Sequence, residues 1–454
     1  MKLKYILLLV VAISFGSCKK DFLAIKSNKN LVIPITLNDM QALLDNADVM
    51  NLSMPSLGEI SADDYYLTYD GWNSITTPKE RNAYIWAKDI YEGITPIGDW
   101  NYMYRIVFYA NNVLEGLEKL DRTNDPATYD HIKGGALFLR AYAFYQLSQL
   151  FCLPYNPGTS SKDLGIPLRL KSDINLPSKR ASVEETYSRI ISDLTSAASL
   201  LPTVVNYKTR PGRNAAFAML SKIYLLMQGY NKSLEYSDSA ILNSAGQLID
   251  FNLLSVAASY PIAANNEEVI FQTSLSRSVN LLSSRINIDS TLYNLYSNDD
   301  LRRKAFFTIK SGHLIFKGSY NGSSPYLFSG LALDEIFLNK AECLVRLGQI
   351  AKGIETLSYL MEKRYVTGKY TSITTTDETE ALRIVLQERR KELLMRGIRW
   401  SDLRRLNLIE ATSKKLIRIL NNQQYELSPK SPNYVLPIQD NVIQLSGIEQ
   451  NPRN

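Results

Sequence analysis

Leu333-Asp-Glu-Ile-Phe-Leu-Asn-Lys-Ala-Glu-Cys-Leu-Val-Arg-Leu-Gly-Gln-Ile-Ala-Lys-Gly-Ile-Glu-Thr-Leu-Ser-Tyr-Leu-Met-Glu-Lys-Arg364 is the stretch that decides the fold. It predicts a helix over Leu333–Leu347, a turn at Gly348-Gln-Ile, and a second helix over Ala351–Arg364. The same arrangement occurs upstream. Asn214–Gln228 is rich in alanine and carries Phe217, Leu220, Ile223 and Tyr224 on one side, so close helix packing is expected; Gly229 then turns the chain into Lys232–Leu242.

Outward from these pairs the pattern remains helical. Ile106, Ala110, Val113, Leu114 and Leu117 form one stripe, and Ala136, Leu139, Ala143, Gln146 and Leu150 form another on a helix that ends before Pro154, which predicts two antiparallel helices. After a Pro- and Ser-rich crossing, Ser182-Val-Glu-Glu185 is a capping box. Val183, Tyr187, Ile190, Ile191 and Leu194 follow inward, and Leu201-Pro202 closes the helix. Downstream come Asp377–Arg396 and a short helix over Trp400–Leu406. Helix pairs joined by a glycine turn look like tetratricopeptide units, whose repeat is about 34 residues. The expected class is therefore mainly α, with degenerate helix pairs over about 100–245 and 331–406 and few short strands.

Two segments break the rhythm. Residues 52–85 are rich in Ser, Gly, Asp and aromatics without helical or strand period, and residues 246–330 hold only short strand-like pieces, Glu268–Gln272 and His313–Phe316. Loops of this length inside a compact domain are functional or disordered, and aromatic content argues against disorder.

The beginning of the chain addresses it to an envelope. Lys2 and Lys4 precede the apolar run Tyr5–Ile13, and Gly16-Ser17 stand before Cys18, so residues 1–17 read as a signal peptide. Phe15-Gly16-Ser17-Cys18 resembles the lipobox of bacterial lipoproteins, which makes Cys18 the lipidation site and residues 18–35 a lipidated tether; residues 36–454 are expected to form one domain. Acyl chains stabilise membrane attachment by ~0.8 kcal/mol per buried methylene. Cys152 and Cys343 sit in apolar helical settings and read as buried free thiols.

Composition and motifs narrow the chemistry. The net charge of +6 is mild and its basic residues are interleaved with acids, so nucleic-acid binding has little support. His131 and His313 stand apart without HExxH or Cys-X-X-Cys, so no metal centre is expected, and no nucleophile elbow or phosphate loop occurs. No cofactor is implied. The acid pairs Asp63/Asp64, Glu267/Glu268 and Asp299/Asp300 read as solvated loop acids, since a glycosidase needs two carboxyls converging at about 5–10 Å. Asp121-Arg-Thr-Asn-Asp125 offers oxygen ligands but lacks the glycine of a calcium loop.

Several blocks together resemble the SusD/RagB family of lipid-anchored nutrient-binding proteins of Bacteroidetes outer membranes. They are Cys18-Lys-Lys-Asp-Phe-Leu23 with Pro34–Asn46, Arg140-Ala-Tyr-Ala-Phe-Tyr-Gln-Leu-Ser-Gln-Leu-Phe151, Gln387-Glu-Arg-Arg-Lys-Glu-Leu-Leu-Met-Arg-Gly-Ile-Arg-Trp-Ser-Asp-Leu-Arg-Arg405, and Leu436-Pro-Ile-Gln with Glu449-Gln-Asn-Pro452. The third block reads first as a buried ionic and aromatic staple, in which Glu388, Arg389, Arg390 and Glu392 can pair along the helix while Arg399, Trp400 and Asp402 pin the following turn. The resemblance implies a SusD-like fold and a binding protein, not an enzyme. It implies capture of an oligosaccharide, or less readily a peptide, at the cell surface for a partner TonB-dependent, SusC-like outer-membrane barrel. Candidate ligand contacts lie in the loops: Asp64, Tyr66, Tyr69 and Trp72, and Tyr320 and Tyr326 in a turn-rich stretch. Flat rings stack on sugars, and planar acceptors take hydroxyl pairs. A surface polysaccharide hydrolase and a tetratricopeptide scaffold that binds no ligand are the alternatives.

Overall fold

The computed structural model describes residues 34–454 apart from Ser283, Ser324 and Pro325; the signal peptide, Cys18 and the tether to residue 33 lie outside the described residues. Helix α1 (Leu37–Leu44) starts at a capping box, with Thr36 Oγ1 accepting from the Asp39 amide at 3.1 Å and the Asp39 carboxylate accepting from the Thr36 amide at 3.0 Å. The principal helices then follow where the periodicity places them: α2 (Gly98–Leu117), α3 (Pro126–Phe151), α4 (Val183–Leu200), α5 (Arg213–Leu226), α6 (Tyr230–Leu242), α7 (Leu333–Arg346), α8 (Ile350–Glu362), α9 (Glu378–Glu392) and α10 (Arg399–Leu406). From α2 to α8 each principal helix packs on the next, and α9 packs on α7 and α8. The chain is mainly α with few short strands, as expected.

The helix-pair turns use left-handed backbone in two ways. Gly348, between α7 and α8, has φ +75°, a conformation that costs glycine little and other residues more. Between α5 and α6 the left-handed residue is Gln228 at φ +61°, not the neighbouring Gly229. The capping box of α4 forms as predicted: Ser182 Oγ accepts from the Glu185 amide at 3.0 Å, and Glu185 accepts from the Ser182 amide at 2.7 Å. Ser182→Ala is expected to lower the unfolding free energy by about 1 kcal/mol, read as a reduced urea midpoint with unchanged slope.

In the segment 52–85, expected to lack regular structure, three short helices occur, Leu57–Ser61, Tyr69–Asn73 and Pro78–Tyr84, and the segment 246–330 holds two more, Ser290–Tyr293 and Arg302–Ala305. None runs long enough to impose a readable period. Strands pair only two by two among the described residues. One ladder matters for function: Tyr65 pairs with Ile288 and Tyr66 with Asn287, antiparallel, joining the two irregular segments. A hairpin over Leu416–Leu420 and Gln423–Leu427 was not anticipated, although Asn421 and Asn422, at φ +48° and +64°, are the residues a tight hairpin turn favours. Cys152 and Cys343 are buried and free.

Candidate functional site

The irregular surface rests on the corner between α9 and α10. Arg390 Nε donates to Asp64 Oδ1 at 2.8 Å, Arg399 Nε donates to Asp63 Oδ1 at 2.6 Å, and Lys414 Nζ reaches Asp63 at 2.6 Å. Burial opposes ionisation of Asp63, but Arg399, Arg390 and Lys414 together hold its carboxyl well below the usual range. These ties fix the start of strand Tyr65–Tyr66. Alternation across the strand then sends Tyr65 inward, its hydroxyl donating to the Ile60 carbonyl at 3.0 Å, and leaves Tyr66 outward at 49% exposure.

Thr68 caps the next short helix by accepting from the Gly71 amide at 3.1 Å. It presents Tyr69, 40% exposed, beside half-buried Trp72, with ring centroids 6.1 Å apart. The Trp72 indole donates to the Arg81 carbonyl at 3.0 Å, so this ring is set rigidly into its own loop with one part open. Arg285 Nη1 donates to the Gly71 carbonyl at 3.0 Å and to Ser74 Oγ at 2.5 Å, which clamps the second segment onto the first. Asn287, opposite Tyr66, shares a hydrogen bond of 2.6 Å with Nδ1 of exposed His313. Ring contact thus joins Tyr69 to Trp72, Arg285 holds their loop, and the strand of exposed Tyr66 brings Asn287 and His313 alongside. Arg285, Asn287 and His313 could not be placed there from sequence, because strand pairing across more than 200 residues brings them to Tyr66.

Of the six candidates, Tyr69 and Trp72 are in ring contact, and Tyr66 is exposed on the adjoining strand. Asp64 and Tyr320 are not exposed with them. Asp64 is buried under Arg390 and Arg399, and the Tyr320 hydroxyl donates to Glu268 at 2.6 Å and to Asp334 at 3.2 Å inside the protein. The Gly-Ser surroundings of Tyr320 suggested an exposed turn, but a phenol that reaches buried carboxylates is satisfied inward. Tyr326 is exposed, yet among the described residues no aromatic contact or hydrogen bond of its side chain joins it to the Tyr66–Trp72 group.

The acid pairs are also corrected. Glu267 and Asp299 face solvent while Glu268 and Asp300 are buried; in the first pair Asp64 is buried and Asp63, mostly covered, lies against Arg399 and Lys414. Glu268, Asp334 and Glu392 bring carboxylate oxygens within 4.8 Å of one another. Arginines span that cluster: Arg364 to Glu268 at 2.7 Å and to Glu392 at 2.6 Å, Arg302 to Glu392 at 2.9 Å, and Arg396 to Asp334. Burial, only partly offset by Arg364, pushes Glu268 up to about 7. Glu388 and Glu392 therefore pair with Arg302 and Arg364 from other segments, Glu388 also with Lys391 along α9, and the third block is a buried ionic staple, with the Trp400 ring tilted against Tyr434 at 4.8 Å. Asp121 and Asp125 both cap backbone amides, of Thr123 at 2.9 Å and Thr128 at 3.1 Å.

Comparison with known proteins agrees with the fold. A family model described as starch-binding, associating with outer membrane, matches residues 21–225, and the SusD family model matches residues 331–453. SusD-like protein P2 of Formosa agariphila is 27% identical over 147 residues, 32% of this chain and 27% of that relative's length. The solved structure of a SusD superfamily protein from Bacteroides thetaiotaomicron superposes with a TM-score of 0.75 at 20% identity, covering 92% of this chain and 100% of the other. A SusD-like carbohydrate binding protein from Bacteroides vulgatus gives 0.67 at 18% identity, covering 90% and 96%.

Proposed function

The chain belongs to the SusD/RagB family, and from that premise we propose that it is a cell-surface binding lipoprotein that captures an oligosaccharide and passes it to a TonB-dependent, SusC-like outer-membrane barrel. The observation that carries the reading is the Tyr69–Trp72 ring pair, its loop held by Arg285, with open Tyr66 on the adjoining strand and His313 bonded to the residue opposite it. Phenol and indole rings give flat apolar platforms, and the guanidinium and imidazole give hydrogen-bonding partners for hydroxyls. Such a surface binds a sugar without moving its atoms through a reaction. The acids that open the loop, Asp63 and Asp64, are both committed to arginines, which counts against a hydrolase built on them.

Anchoring through Cys18 would hold the protein to the outer leaflet, and the repeat helices would provide the surface toward the barrel. Among the described residues no helix is long and apolar enough to cross a membrane. Calorimetric titration with a panel of oligosaccharides and peptides tests the reading. Saturable binding of an oligosaccharide without product is expected, and Tyr69→Ala should weaken it about tenfold, the loss of one stacking ring. Released product on prolonged incubation, or binding of peptides alone, would overturn it.

A further inference from the structure

A second site lies away from the aromatic face. A cavity of about 270 Å³ opens between the end of α3, the end of α10 and the turn after the Gln423–Leu427 strand. Its wall is mostly apolar, formed by Leu153, Pro154, Leu408 and Tyr434, and it also takes in Arg404 and Lys430. None of these residues belongs to the two irregular segments.

The charge in this cavity is unusual. Arg404 is 3% exposed, and its guanidinium reaches only backbone carbonyls at the end of α3, those of Ser148, Gln149 and Cys152; its Nε has no hydrogen-bond partner. Its neighbours on the same corner differ. Arg389 pairs with Asp402 at 2.8 Å and Arg405 with Glu342 at 2.7 Å, whereas among the described residues no carboxylate pairs with Arg404 or with Lys430. Buried charge is ordinarily paired, because desolvation is costly and an opposite charge offsets it. Carbonyls at a helix C-terminus supply part of that compensation for Arg404. Lys430 stands exposed in a turn at φ +62°. The acid in the lining, Asp163, already accepts from Thr159 Oγ1 at 2.6 Å, so the two cations outnumber it.

We propose that this cavity is a binding site for a small ring carboxylate, its carboxylate set against Lys430 and Arg404 and its ring against Leu153, Pro154, Leu408 and Tyr434. The volume suits a single ring, being just below the range that pockets for larger ligands occupy. An apolar wall with two cations selects for both halves of such a molecule. Acetate has the charge without the ring, and benzyl alcohol has the ring without the charge.

Benzoate titrated into the lipid-free mature protein, followed by ligand-observed NMR and calorimetry, tests the site. Saturable binding is expected, at least tenfold tighter than acetate or benzyl alcohol. Lys430→Ala should weaken benzoate about tenfold, the loss of one charge-assisted contact, and Lys430→Glu should abolish binding. Lys430 is exposed, so neither change threatens the fold, as an Arg404 variant would by uncapping α3. Tyr69→Ala should leave benzoate binding unchanged, which separates this site from the oligosaccharide face. Equal affinity for benzyl alcohol, equal affinity for inorganic phosphate, or an unaltered Lys430→Glu variant would each overturn the proposal.

Discussion

Arg364→Met is expected to lower the unfolding free energy by about 3–5 kcal/mol at neutral pH, the loss typical of removing one partner from a buried ion pair. Arg364 is fully buried and ties three elements: Nε donates to Glu392 on α9 at 2.6 Å, Nη2 to Glu268 at 2.7 Å, and Nη1 to the Ile249 carbonyl at 2.7 Å. Its guanidinium also lies 4.3 Å from the centre of the Phe251 ring. Methionine can fill much of the volume but cannot neutralise Glu268, which would then face Glu392 and Asp334 with only the Tyr320 hydroxyl and the Ile249 amide as partners. Because protonation relieves that repulsion, the loss should shrink between pH 7.5 and pH 5. Adding Glu268→Gln should recover part of it at pH 7.5. Urea titrations of the single and double variants at both pH values read all of this; a loss below about 1 kcal/mol, independent of pH, would show that the cluster is not held by charge.

The helices were legible because their stripes are long and their caps are chemically marked: Thr36-x-x-Asp39 and Ser182-x-x-Glu185 form the reciprocal boxes their spacing requires. The staple in Gln387–Arg405 was legible as ionic, but its partners were not. Sequence places Glu388, Arg389, Arg390 and Glu392 on one helix and suggests pairing along it, whereas Arg302, Arg364 and Asp64 arrive from segments that only the fold brings near. The same limit explains the acid pairs. Adjacent carboxylates project to opposite sides, so a pair in a polar loop can have one member in water and one in an arginine cluster, and nothing local distinguishes them. Tyr66 and Tyr69 were identifiable as exposed rings beside carboxylates. The inward turn of Tyr320 and the arrival of Arg285 and His313 depend on contacts made at long range.

Glu59→Gln is expected to flatten the pH dependence of stability between pH 5 and pH 8. Glu59 sits in the short helix before Asp63 and Asp64 and is 1% exposed; Oε2 accepts from the Gly397 amide at 2.8 Å, and Oε1 has no partner. Burial, with Asp64 adding repulsion, pushes its carboxyl up to about 8, although Gly397 and Arg399 pull the other way. The folded protein therefore keeps a proton that the unfolded chain, titrating near the ordinary value of 4.5, has released. Such a group contributes its full stability below the unfolded value and loses it as pH rises through about 8, with a slope of up to about 1.4 kcal/mol per pH unit. Glu268, pushed up to about 7, acts in the same direction. Glu342 acts oppositely: its arginine partners outweigh burial and hold it at about 2, so its contribution is present above 4.5 and lost on acidification toward 2. Stability should thus peak near pH 5 and decline toward pH 8. A glutamine keeps an acceptor for the Gly397 amide and cannot ionise, so the variant should match the wild type at pH 5, exceed it at pH 8, and retain only the slope due to Glu268. Urea midpoints from pH 5 to 8 decide it, and parallel curves for the two proteins would refute the assignment. Because Gly397 lies between Arg390 and Arg399, whose side chains hold Asp63 and Asp64, ionising Glu59 would load the corner that sets Tyr66 in place. Oligosaccharide binding by the wild type should therefore weaken toward pH 8 more than binding by Glu59→Gln.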